Sequence, residues 1–194
     1  MKCKVQNNSN LDMSDAMPLL KSLYSFAESN LNFTSAPNIS FQSDIDNAAK
    51  TLGKTAHYHP DSYTITVYTD SRHLKDILRS IAHELIHHDQ NCNGAFKGPL
   101  ETGRGYAQRN ASMRELERDA YERGNMIFRD WEDMLKLCLT ESDAKKNGLP
   151  KVDNKQQKEI IKGNQDTKEQ KPKSNDEWYQ NNLYKSLVNR WVKK

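Results

Sequence analysis

The 194-residue sequence has no long hydrophobic segment. No run approaches the roughly 20 apolar residues that a membrane-spanning helix needs. The first ten residues, MKCKVQNNSN, contain no apolar core of a signal peptide. Hydrophobic residues make up 35% of the chain and charged residues 28%, which is more polar than an average globular domain. We therefore expect a chain that neither spans a membrane nor is secreted through a signal peptide, and part of which does not pack into a core.

Cysteine is also scarce. Cys3, Cys92 and Cys138 are odd in number and unrelated in spacing, so they indicate neither a disulfide framework nor a CxxC metal knuckle. We expect three reduced thiols with structural roles.

A large excess of one charge is absent, since the net charge is +3. Residues 1–140 contain 16 basic and 18 acidic side chains, whereas residues 141–194 contain 13 and 8. Binding to phosphates needs clustered Lys and Arg, so the first part is not expected to bind nucleic acid. The basic tail is typical of a solvated charge run, with weak, salt-sensitive contacts to polyanions as the alternative.

The composition changes near Thr140. Residues 141–177 include five apolar residues and no aromatic one, too few to offset the entropy cost of ordering them. Ser174 and Glu177 then form a capping box before apolar residues at helical spacing, Trp178 and Trp191 among them. We predict a domain over 1–140, a flexible linker over 141–177 and an amphipathic helix over 178–194, which needs its own domain, a second copy or a partner protein to pack on.

Within residues 1–140, the apolar periodicity predicts an α+β domain with a small mixed sheet. The predicted strands are 38–42, 54–59 and 63–69, with a turn at 59–62. The predicted helices are 15–31, a second that Asp70 or Ser71 caps, and a long third that begins near Asn110.

The second predicted helix carries His83-Glu84-Leu85-Ile86-His87, an HExxH motif. Residues four apart lie one turn apart on the same face of a helix, so both imidazoles can reach a single ion. Two imidazoles and a carboxylate leave a fourth tetrahedral position open for water, which is typical of a catalytic zinc site. We therefore predict that His83 and His87 are ligands of Zn²⁺.

Glu84 points about 100° away from His83 around the helix axis. Its carboxylate is therefore expected beside the ion rather than on it. That position suits a general base, which takes a proton from the attacking water and later passes it to the leaving amine.

The third ligand is expected from another helix, within the acidic segment 115–124 (ELERDAYERG). HELIHH followed by E-x-x-A-Y-x-x-G resembles the gluzincin branch of zinc metallopeptidases, in which the Glu of a downstream E-x-x-A-(D/N) phrase completes the site. The resemblance implies that Glu117 is the third ligand and that Ala120 is the small residue that lets the two helices approach. Glu115 and Asp119 are the alternative ligands.

Residues 63–133 are also similar to small zinc peptidases encoded by bacteriophages. This resemblance implies a location in the host cytoplasm or in the virion, and a phage structural protein as a partner for the C-terminal helix. The gluzincin pattern has Asp or Asn, a hydrogen-bond partner of a ligand histidine, where this chain has Tyr121. We expect Asp119 or Asp89 to take that part.

Stabilisation of the oxyanion in such enzymes comes from a Tyr, His or Arg near the zinc. Tyr106 and Tyr121 are the main candidates for this catalytic role, and His88 and Arg104 are further ones. The glycine-rich segment 94–109 joins the two metal-binding helices and is expected to form a rim or lid over the cleft.

These features predict a zincin-like domain that hydrolyses peptide bonds in a protein or peptide substrate. In zincins the strand nearest the cleft usually lies antiparallel to its neighbour and offers a free edge to an extended substrate, so we expect strand 54–59 to do so, with the amide of Thr55 or His57 facing the cleft. The alternatives are a zinc-stabilised, non-catalytic interaction module and a DNA-associated protease or nuclease.

Overall fold

The structure is a computed structural model that describes residues 3–96 and 110–146, with side chains as far as Cys138. Four strands and four helices lie in this part of the chain, which gives a mixed α+β architecture. In chain order they are β1 (Lys4–Asn8), α1 (Met13–Asn30), β2 (Asn38–Gln42), α2 (Ile45–Ala48), β3 (Ala56–His59), β4 (Thr64–Tyr68), α3 (Leu74–Cys92) and α4 (Ala111–Lys146).

The four strands form one small mixed sheet in the order β1-β2-β4-β3. β1 and β4 both pair with β2 in parallel. β3 pairs with β4 in antiparallel register, with Tyr58 opposite Ile65. The predicted small mixed sheet is thus confirmed, and β3 lies at its edge.

One face of the sheet carries the apolar side chains. Ile39 and Phe41 on β2 and Ile65 and Val67 on β4 are buried, because alternate residues of a strand point to the same face. α3 lies against β3 and β4, and α1 packs against α3. The HExxH helix is therefore held between the sheet and the first helix.

α4 is joined to this core at Trp131. The indole is fully buried, and its Nε1–H donates to the hydroxyl of Ser22 on α1 at 2.9 Å. A buried Trp that finds a hydrogen-bond partner contributes both apolar burial and orientation. This contact holds α4 against α1.

The strands and helices predicted within residues 1–140 correspond to observed ones, but α3 begins later than predicted. His73 is its N-cap, with a ring nitrogen that accepts a bond from the backbone of Lys75. Asp70 instead accepts bonds from the hydroxyl of Ser43 and the backbone of Asp44, and Ser71 has a φ of 57°. Asp70 and Ser71 therefore belong to the connection after β4, and the prediction that either one caps the helix is wrong.

Two elements have no counterpart in the sequence predictions. β1 contains a single apolar residue, Val5, so no alternation of polar and apolar residues marks it. α2 is a four-residue helix that Asp44 caps through the backbone of Asn47. Both are short and depend on neighbouring backbone for their hydrogen bonds, which a local pattern does not reveal.

The chain divides into two compact units, the first of which spans Met1–Trp131. Of the second, the structure describes the part of α4 from Glu132 to Lys146. α4 thus continues past Thr140, the predicted end of the domain. The rest of the predicted linker and the predicted C-terminal helix over 178–194 lie outside the described residues. None of the helices in the described part of the chain is both long enough and apolar enough to cross a membrane.

Candidate metal centre

α3 and α4 bring three potential metal ligands together. The Nε2 atoms of His83 and His87 are 3.1 Å apart. Glu117 of α4 has one carboxylate oxygen 3.5 Å from His83 Nε2 and the other 3.6 Å from His87 Nε2. Among the described residues, these three form the one group of His, Cys, Asp or Glu side chains that could hold a metal ion.

The two helices approach closely next to this group. Gly124 lies against the backbone of α3 so tightly that a Cβ atom there would be 3.0 Å from His83 Cα and 3.3 Å from His83 N. Ala120, one turn earlier, is fully buried. The implied role of Ala120 is compatible with this packing, but Gly124 makes the tighter approach. Small side chains at both positions allow Glu117 to reach the histidines.

We expect Gly124→Ala to weaken the metal centre. Alanine in place of glycine normally favours a helix by about 0.5–1 kcal/mol. Here the new methyl group meets helix backbone that cannot move aside locally, and such overpacking costs about 1–3 kcal/mol. Metal titration and thermal unfolding should therefore show lower affinity and a lower Tm. Ala111→Gly, at the start of the same helix, is the control for helix propensity, and a Gly124→Ala protein that is more stable and binds metal normally would contradict this packing.

Glu84 is buried beside the three ligands, with 6% of its surface exposed. Burial raises the pKa of its carboxyl group, while the positive charge of His87 and His83 acts in the opposite direction. The backbone of Tyr58 on β3 also lowers the pKa of this carboxyl group. A buried carboxyl group with a raised pKa next to potential metal ligands has the environment of a general acid or base.

His87 is the more buried of the two histidines. Burial alone would lower its pKa, but the carboxylates of Glu117 and Glu84 outweigh burial and raise it. In the absence of a metal ion, a proton on His87 would interact favourably with the same carboxylate that could ligate the metal. Protons and metal ions therefore compete for this group.

β3 presents its outer edge next to Glu84. The backbone N–H of Tyr68 donates to the carbonyl of Thr55 at 3.0 Å. Hydrogen-bonded residues alternate along an antiparallel pair, so Thr55 and His57 direct their backbone groups to β4. Ala56 and Tyr58 direct theirs away from it, and the backbone of Tyr58 is close enough to Glu84 to lower the pKa of its carboxyl group. The edge position of the strand is as predicted, but the expectation that Thr55 or His57 faces the cleft is wrong.

A polar network extends from His87 across the two helices. His87 Nδ1 is 2.9 Å from Gln90 Oε1. Gln90 Nε2 donates to Asp119, which also accepts from Arg123. Arg123 reaches back to Asp89 on α3 at 2.7 Å. Neither Asp119 nor Asp89 bonds to a histidine of the site, so the predicted partner is wrong; the side chain that contacts His87 is that of Gln90.

Two aromatic rings lie beside the ligands. The ring centroid of Tyr121 is 4.6 Å from that of His83, and Tyr121 is 64% exposed. The ring of Phe96 is 6.2 Å from that of His87. Tyr121 is therefore brought to the predicted site. Tyr106, Arg104 and most of the segment 94–109 lie outside the described residues.

His88 points away from the candidate metal ligands. It is fully buried, its Nε2 is 2.8 Å from the carbonyl of Ser35, and its Nδ1 is 2.9 Å from the hydroxyl of Tyr58. Burial lowers the pKa of His88, which favours a neutral ring that donates to Ser35 and accepts from Tyr58. His88 thus joins α3 to Tyr58 of β3 through a hydrogen bond. The prediction that His88 could stabilise the oxyanion is wrong.

Comparison of the chain with protein-family models, with curated proteins and with solved structures gives no match. The functional proposal therefore depends on the geometry of the metal centre and on the motif that carries it.

Proposed function

We propose that this chain is a zinc-dependent metallopeptidase with a zincin-like domain of the gluzincin type. One observation carries the proposal. Three potential ligands converge, namely His83, His87 and Glu117. Glu84 is buried, directly follows His83 in the sequence, and has a pKa that the charges of both histidines affect. Three ligands with an adjacent buried carboxylate favour a catalytic site over a structural one, in which four protein side chains usually close the metal off.

The donor atoms fit zinc. A tetrahedral ion with bonds of about 2.0–2.1 Å has ligand atoms about 3.3–3.4 Å apart. The two Nε2 atoms are 3.1 Å apart, and they lie 3.5 and 3.6 Å from two different oxygens of the Glu117 carboxylate. Two imidazoles also argue against Mg²⁺ and Ca²⁺, which prefer oxygen ligands. The set of donors and their spacing thus support Zn²⁺ as the proposed cofactor.

Different residues of the chain have different roles in the proposed hydrolysis. When bound, zinc supplies a Lewis acid that polarises a carbonyl and lowers the pKa of water. Glu84 accepts the proton of the attacking water and then delivers it to the leaving amine. The backbone of Tyr58 favours the charged form of this carboxylate, which is the form that accepts the proton. Tyr121, next to His83, is the proposed donor to the developing oxyanion, with Tyr106 as the second candidate.

The edge of β3 is the proposed binding surface for substrate. Ala56 is two residues from Tyr58, about 6.5–7 Å along an extended strand, and both direct backbone groups to the same side. A peptide that pairs with this edge would be extended and would pass Glu84. Backbone pairing gives affinity with little dependence on side chains. We therefore propose an unfolded protein segment or a peptide as the substrate.

Ala56→Pro is expected to raise KM several-fold without loss of zinc. Proline removes the amide at the outer edge and is tolerated on edge strands. Ala56→Val, which keeps the amide, is the matched control. The measurement is the cleavage of quenched-fluorescent peptides, with zinc content determined on the same samples.

His57→Pro gives the opposite test of the register. Its amide faces β4, so the substitution should disrupt the pairing of β3 with β4 and lower the Tm. If Ala56→Pro leaves KM unchanged, or if His57→Pro is the better tolerated of the two, the proposed edge is not where substrate binds.

The zinc-stabilised, non-catalytic module is the competing proposal. Screening the zinc-loaded chain against a library of quenched-fluorescent peptides separates the two. The peptidase proposal expects cleavage that a chelator abolishes and that added zinc restores. A protein that retains zinc and cleaves none of the library would favour the interaction module.

A further inference from the structure

Gln90 is a buried polar side chain that the proposed chemistry does not use. It is 5% exposed and lies near the end of α3, one turn beyond His87. Its Oε1 is 2.9 Å from His87 Nδ1, and its Nε2 is 2.9 Å both from the carbonyl of Leu116 and from a carboxylate oxygen of Asp119. Every polar atom of the amide thus has a partner.

The network determines which way round the amide sits. Leu116 offers a carbonyl oxygen, and Asp119 offers a carboxylate that Arg123 also binds. Both are acceptors, so the atom that faces them must be the NH₂ group. The other atom of the amide, which faces His87, is therefore the oxygen.

An oxygen at this position determines which ring nitrogen of His87 carries a proton. It can only accept, so Nδ1 of His87 must carry a proton and donate it. Nε2 is then the atom left to face His83 and Glu117, 3.1 and 3.6 Å away. The hydrogen bond to Nδ1 selects both the ring orientation and the nitrogen that can bind a metal ion.

We propose that Gln90 is the positioning residue of the metal centre: it orients His87 and joins it to the turn of α4 that carries Glu117. The inference rests on the proposed metal site, but not on peptide hydrolysis. The Leu116 carbonyl that Gln90 binds is in the residue that precedes Glu117. One side chain thus bonds to a ligand histidine on one helix and to the backbone beside the ligand carboxylate on the other.

A second connection between the helices supports this arrangement. Arg123 binds Asp119 at 3.1 Å and Asp89 at 2.7 Å. Asp89 is almost completely buried and also accepts from the backbone of Asn32. The acceptor that Gln90 needs on α4 is therefore fixed by an ion pair to α3. Partners of ligand histidines are typically worth about 10–100-fold in metal affinity.

The test is zinc affinity of the full chain, measured by competition with a chromophoric chelator. Gln90→Met keeps the length of the side chain and removes all three hydrogen bonds. We expect it to bind zinc about 10–100-fold more weakly than wild type. A Gln90→Met protein that binds zinc within twofold of wild type overturns the proposal.

Asn91→Leu is the matched control, because it removes a neighbouring amide on the same helix. Asn91 donates to the hydroxyl of Tyr58 and to the carbonyl of Pro60, and neither of these groups belongs to a candidate ligand. If Gln90 served only to stabilise the fold, both variants would lower the Tm and affect zinc alike. We expect Asn91→Leu to lower the Tm while its zinc affinity stays within twofold of wild type, and equal losses of affinity in both variants would overturn the proposal.

A measurement on the wild-type protein keeps the proposal testable even if Gln90→Met does not fold. Long-range ¹H–¹⁵N spectra of the zinc-loaded chain should show a proton on Nδ1 of His87 that exchanges slowly with water. A His87 ring without a proton on Nδ1 overturns the proposal. Because none of these measurements depends on substrate, a chain that binds zinc as expected but cleaves no peptide would contradict the peptidase proposal alone.

Discussion

Glu84→Gln should retain zinc, fold normally and lose at least about 10²–10⁴-fold in peptide hydrolysis, the range that a general base typically contributes. Glutamine has the shape of glutamate but cannot accept a proton at the attacking water. Loss of rate without loss of metal is therefore the expected signature.

Stability gives an independent readout on the same variant. Glu84 is buried, and burial disfavours its charged form. A neutral side chain of the same shape removes that cost, so we expect the Tm of Glu84→Gln to equal or exceed that of wild type. Glu115→Gln, an exposed position on α4, is the control. Cleavage by Glu84→Gln at the rate of wild type would show that Glu84 is not the base.

The double variant His83→Ala, His87→Ala is expected to hold no zinc. A single carboxylate from Glu117 would remain of the three donors, and one carboxylate alone binds zinc weakly. Metal analysis after dialysis should fall from about one zinc per chain to near zero. Hydrolysis should be lost with it, because the Lewis acid is gone.

A control for histidine number is available in the same chain. His59→Ala, His73→Ala removes two histidines that do not belong to the candidate ligand group. It should keep about one zinc per chain, with a small loss of stability because His73 caps α3. Full zinc occupancy in the His83→Ala, His87→Ala protein would rule the proposed site out.

The α3 part of the candidate site could be predicted from spacing alone. His83 and His87 are four residues apart within a strongly periodic apolar helix, so their convergence follows from helix geometry. The antiparallel pairing of β3 with β4 follows from two short strands joined by a tight turn. Both are local properties of the sequence, whereas the edge position of β3 was expected from the resemblance to zincins.

Contacts between elements were harder to predict. Gly124 was visible only as a glycine in a helix, and its role depends on where α3 crosses α4. Gln90 has the right spacing from His87, i to i+3, but its amide is meaningful only because Leu116 and Asp119 lie opposite. The effect of the Tyr58 backbone on the pKa of Glu84 likewise depends on which part of β3 meets α3. Each of these needs a relative placement that the local sequence does not encode.

The most direct test of the metal centre compares Glu117→Ala with Glu115→Ala. The two glutamates are on the same helix, two residues apart, and Glu117 is the one within 3.6 Å of both histidines. Zinc content per chain, measured by mass spectrometry of the metal after dialysis, should remain near one in wild type and Glu115→Ala and fall well below one in Glu117→Ala. Retention of zinc by Glu117→Ala together with its loss from Glu115→Ala would contradict the proposed site.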